Sequence, residues 1–166
     1  METPGDQPND GKSLAKMQKS AAQEVDWCVH DPRPETTAIL NVADKYKPVF
    51  TFPLHDEYHH TQYVDPYCGL GQPISIESRD AIVESLQEFN MGLNPEYTDP
   101  ALGDGFFIMS SIGEEIKVST FYRFSQMGQV LVCEMPTMEG IKDCDLVYLQ
   151  LKIGMLVLRD TLENGG

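Results

Sequence analysis

The side chains best placed to do chemistry are gathered in one segment. His55, His59 and His60 lie close together, and Cys68 follows nine residues after His59. His55 and His59 are four apart, a spacing that shares one face of a helix. Cys28 and His30 form a second pair that could fold back onto them. Zinc needs three or four nitrogen or sulfur ligands within tetrahedral reach, and His55, His59 and Cys68, with Cys28 as a fourth, would supply them. That defines one reading: a small zinc-binding protein or metal-dependent enzyme using the 55–68 loop. Against it, the segment contains no CxxC pair, and Pro53 and Pro66 bracket it. A loop rich in histidine and tyrosine, ordered by hydrogen bonds and holding no cofactor, is the more ordinary account.

Other catalytic patterns are missing. No cysteine sits in a local nucleophile signature, and Ser119 and Ser125 lack a GxSxG turn. There is no GxxxxGK[ST] phosphate loop and no GxGxxG after a strand. Carboxylates are abundant, but in so acidic a chain a pair of them carries little information. The residues therefore favour a protein that binds over one that catalyses.

Charge is the stronger signal. The 166 residues carry 26 acids against 12 bases, a formal net charge of −14. Between residues 53 and 104 ten acids face a single base, Arg79. A surface of one sign repels phosphate backbones, which disfavours general nucleic-acid binding, and attracts basic proteins. Asp80, Glu84 and Glu88 on a predicted helix, with Asp56 and Glu57 before it, are the candidate partner-binding residues. No run of about 18 apolar residues suggests a membrane span. The polar, acidic N-terminus does not read as a signal peptide, so an intracellular site, cytoplasmic or nuclear, is expected.

The elements that must position these groups read as an α+β fold in a single domain over 13–166, after a disordered acidic tail over 1–12. Three β-rich runs between 106 and 135 are separated by short turn signals around Gly113 and Gly128. In the middle run Ile116, Val118, Tyr122 and Phe124 share one parity. This predicts an antiparallel meander within a sheet of four to six strands. Residues 37–43 and 48–52 are further strand candidates, and Pro48 and Pro53 would hold the latter at a sheet edge. Ser78 as N-cap, a face of Ala81, Ile82, Leu86 and Phe89, and Gly92 beyond the end predict a helix over 79–90. Leu14, Met17, Ala21 and Val25 make a thinner stripe on a second helix over 14–24. The two helices would cover the sheet.

The run 144–164 fits two periods. Val147, Leu149, Leu151, Ile153 and Met155 alternate as in a strand, whereas Leu146, Leu149, Ile153, Leu156 and Asp160 keep helical spacing. A strand over 145–153, with Gly154 as a bulge, is the expectation. The run is apolar on nearly every side, so it belongs to the core or to an interface with a second copy, giving a homodimer through edge strands or through this terminal segment. The resulting expectation is a non-enzymatic binding or assembly protein that self-associates and presents an acidic surface. Such a role extends to accessory proteins of viral or fast-evolving type.

Overall fold

The computed structural model describes residues 34–57, 65–111, 120–136 and 142–165, with the backbone alone for 54–57 and 136. The predicted tail over 1–12 and helix over 14–24 lie outside these residues, as do Cys28, His59 and His60.

The fold mixes helix and strand around a mixed sheet, not an antiparallel meander. Its centre is β7 (Gln129–Pro136), which runs between β3 (Tyr67–Leu70) on one side and a broken edge strand on the other. That edge is made of β1 (Phe50–Thr51) and β2 (Leu54–Glu57), both parallel to β7. Phe50 pairs with Gln129 and Leu54 with Cys133, so the two pieces keep one unbroken register across Phe52 and Pro53. Pro53 has no N–H to donate, so it interrupts the ladder while the edge position tolerates it. The expected edge strand between Pro48 and Pro53 is therefore present, but shorter at its start and continued beyond Pro53.

β3 is antiparallel to β7 and parallel to β6 (Phe106–Ile108), the opposite edge. β3 therefore takes the place between β6 and β7 that the meander gave to its middle run. Of the predicted middle strand, Ile116 and Val118 lie outside the described residues, while Thr120–Ser125, which holds Tyr122 and Phe124, is a short helix, α3, and β6 leads into a 3-10 turn at Met109–Ser111. The reason lies in β7 itself. Val130 and Val132 face one apolar cluster, while Leu131, Cys133 and Met135 face another. A strand greasy on both sides belongs at the centre of a sheet covered on both faces.

Helices supply both covers. α1 (Pro34–Tyr46) and α3 pack on one face around Ala43, Phe124, Val130 and Val132. α2 (Ile76–Gln87) and α4 (Asp143–Asn164) pack on the other with Ile82, Leu86, Phe106, Leu131, Leu149, Ile153 and Val157. Residues 37–43, expected as a strand, form the middle of α1. Pro34 opens that helix, where its missing N–H costs nothing, and Thr36, Leu40 and Ala43 point inward at helical spacing. Asp44 near its end accepts hydrogen bonds from Lys47 Nζ at 3.2 Å and Arg123 Nη2 at 2.9 Å, tying α1 to α3. The Lys47 hydrogen bond, helped by the Arg123 charge, holds the Asp44 carboxyl below its usual range.

α2 matches its prediction closely but starts earlier. Ser75, not Ser78, is the N-cap, and its hydroxyl accepts from the Ser78 N–H at 3.1 Å. At the other end Asn90, with φ +56°, takes the left-handed turn expected near Gly92.

α4 is the largest correction. Its 22 residues run through the whole segment expected as a strand with a bulge. The buried side is the helical series Leu149, Ile153, Val157 and Asp160. Gly154 is no bulge: it sits inside the helix where a Cβ would fall 2.5 Å from the Phe52 ring, so only glycine lets the edge strand approach so closely. Between α2 and β6 the chain makes a small hairpin, β4 (Thr98–Asp99) and β5 (Gly103–Asp104).

Candidate functional site

The 22 residues of α4 make a helix about 33 Å long. One side of it is fully used by the domain. Along the other, Cys144, Tyr148, Leu151, Met155, Leu158 and Leu162 recur at intervals of 4, 3, 4, 3 and 4, the spacing of a coiled-coil seam. These side chains are not covered. Tyr148 is 56% exposed, Leu151 48%, Met155 64% and Leu162 70%, with Val147 beside them and Leu158 half-buried. This apolar stripe is the candidate contact surface of the chain.

The flank of the seam is polar. Asp145, Lys152 and Arg159 follow one another at seven-residue spacing along one side. Lys152 Nζ donates to both carboxylate oxygens of Glu88 at 3.0 and 2.9 Å, which joins the seam to the acidic face of α2. On that face Glu77, Asp80, Glu84 and Glu88 are all exposed, three or four residues apart. Arg79 meets Asp80 at 3.0 Å. Asp80 and Glu84 on α2 and Glu88 at its C-cap are all exposed. Asp56 and Glu57 belong to β2, opposite Met135 and Pro136 of β7.

α2 and α4 run antiparallel, because Ser75 meets Asp160 at one end while Glu88 meets Lys152 at the other. Asp160 is buried on α4 and reaches the N-terminus of α2. It accepts from the Ser75 N–H at 3.1 Å, from the Ser75 hydroxyl in a short hydrogen bond, and from Asn164 Nδ2 at 3.2 Å. Burial pushes this carboxyl up, but the Ser75 and Ser78 hydroxyls, the Ser75 amide and Asn164 together hold it below the usual carboxylate range. The group is a structural anion at a helix N-terminus.

The proposed metal ligands are only partly described. Cys68 is wholly buried, and its sulfur lies 3.6 Å from that of Cys133 directly across β7. His55 pairs in register with Glu134, one row along from Leu54, Cys133 and Cys68. Among the described residues no three His, Cys, Asp or Glu side chains are grouped to hold a metal ion. Cys133 is also a poor nucleophile. The hydrogen bond between the sulfurs, burial and the nearby Glu134 push the Cys133 thiol well above its ordinary range, and thiolate is the reactive form. Exposed Cys144 on α4 should therefore be alkylated by a maleimide in the native protein, whereas Cys68 and Cys133 should react only after denaturation. Peptide mapping by mass spectrometry checks this, and equal labelling of all three would refute it.

The seam is masked in the sequence because the same residues also carry the period of a strand. The signal was there: six residues in strict alternation of threes and fours. The Asp160–Ser75 contact joins positions 85 apart and has no local signature. Comparison of the chain with protein-family models, with curated proteins and with solved structures found no match. No helix among the described residues is long and apolar enough to cross a membrane.

Proposed function

We propose that this is a non-enzymatic binding and assembly protein, which self-associates through the exposed seam of α4 and receives a basic protein partner on the acidic face of α2. The observation that carries this reading is the apolar stripe from Tyr148 to Leu162. It leaves Tyr148, Leu151, Met155 and Leu162 between 48% and 70% exposed on a helix whose opposite side is part of the core. The acidic face supports the second part, since Asp80, Glu84 and Glu88 are all exposed and Glu88 holds Lys152 on the flank of the seam.

Light scattering behind size exclusion tests the self-association. The wild-type mass should rise toward a dimer with concentration. Met155→Lys should return it toward a monomer with an unchanged circular dichroism spectrum, because Met155 is mostly exposed. A wild-type chain that stays monomeric at high concentration would refute this half. A basic partner captured on the acidic face should be released as salt rises through about 0.1 M, where charges are screened within about 10 Å. It should also bind Glu84→Lys more weakly. Salt-independent capture would refute that half.

A further inference from the structure

We infer that the occupant of the seam is a second copy of the chain, with the two α4 helices antiparallel about a twofold axis at the level of Ile153. This rests on the self-association reading above and adds to it a register and a polarity.

The spacing itself is centred. Cys144 and Leu162 are equidistant from residue 153, as are Tyr148 and Leu158, and Leu151 and Met155. Antiparallel pairing at that level sets Cys144 against the partner's Leu162, Tyr148 against the partner's Leu158 and Leu151 against the partner's Met155. All six seam positions are then used, with no overhang.

Charge selects the same arrangement. In an antiparallel pair the flanking positions on one side face their counterparts across the axis. This flank is centred on Lys152, with Asp145 seven residues before it and Arg159 seven after, so Asp145 comes beside the partner's Arg159, twice per dimer. Lys152 then comes near the partner's Lys152, but each is already held by Glu88 at 2.9 Å, so the axis carries two acids and two bases. Parallel pairing would set Lys152 and Arg159 against uncharged Val147 and Gly154 of the other copy. It would also crowd Asp143 and Asp145 of both copies together at aligned helix N-termini. Antiparallel helices instead oppose their dipoles.

The association also starts from a favourable position. A lone pair of helices of this length must nucleate and order both chains. Here α4 is already folded against α2 and β7, so docking orders little more than the exposed side chains.

A charge-reversal cycle tests the pairing. Asp145→Arg and Arg159→Asp should each weaken the dimer about tenfold, and the double variant should restore it to within about twofold. The two positions are about 21 Å apart along one helix, so rescue can only act between copies. Disulfide trapping gives a second readout. Under mild oxidation with oxidised glutathione, Leu162→Cys should yield a covalent dimer through Cys144 and residue 162 of the other copy. The wild-type chain should form no Cys144–Cys144 link, since those sulfurs would stand about 27 Å apart. A dimer that instead traps Cys144 to Cys144, or shows no charge rescue, overturns the pairing and leaves self-association standing. A monomer at all concentrations overturns both.

Discussion

Phe106→Ala is expected to destabilise the fold by about 3–5 kcal/mol, enough to unfold a large fraction of the molecules near physiological temperature. Phe106 lies on the short edge strand β6 yet is wholly buried. It pairs in register with Cys68 and belongs to the cluster that joins β3 and β7 to α2 and α4. Truncation to alanine removes most of an aromatic ring from a site enclosed by both helices and the sheet, and the surrounding elements can collapse only partly into the void. Denaturant unfolding followed by circular dichroism measures the loss. The midpoint should move far to lower denaturant with little change in slope. A change under about 1 kcal/mol would mean that the cluster does not hold the α2–α4 layer to the sheet.

Asp160→Ala should cost about 2–3 kcal/mol, since a buried carboxylate that accepts several hydrogen bonds leaves those donors unpaired when it goes. The affected donors are the Ser75 amide and hydroxyl and Asn164, at the point where α4 holds the start of α2. Asn in place of Asp should lose part of this, keeping an oxygen acceptor but not the charge that suits a helix N-terminus. The same group predicts a pH response. Its folded pKa is depressed below the ordinary value of about 3.9. Its stabilising contribution is therefore complete above that value and is lost as pH falls through the lower, folded pKa. Wild type should accordingly lose more stability than Asp160→Asn between about pH 5 and pH 2. Identical acid profiles for the two proteins would show that the carboxylate charge plays no part.

Both effects depend on contacts between distant parts of the chain, and this separates what was legible in the sequence from what was not. The acidic helix was legible because its signals are local: apolar residues at helical spacing and carboxylates along the outer face, with the cap falling on Ser75, three residues before the expected Ser78. The Pro-bracketed edge strand was legible for the same reason, since Pro53 lacks a donor wherever the strand pairs. β3 was not. Its residues, Tyr67, Cys68, Gly69 and Leu70, are too few to show a period, and Gly69 has no side chain to report a face. It is a strand because β6 and β7 hydrogen-bond to it from either side.

For the candidate surfaces the division is similar. The sequence by itself determined the acidity of α2, the apolar character of 144–164 and the suspicion that this run meets either a core or another copy. The fold settles the core half, since one side of the run is buried against α2 and β7; the second copy on the other side is the pairing proposed above. The run satisfies a period of two and a period near 3.6 at once, so local propensity cannot choose. The choice falls to helix because Leu149, Ile153 and Val157 then fit against α2 and β7 on one side. That same turn of the helix leaves Tyr148, Leu151, Met155 and Leu162 facing outward.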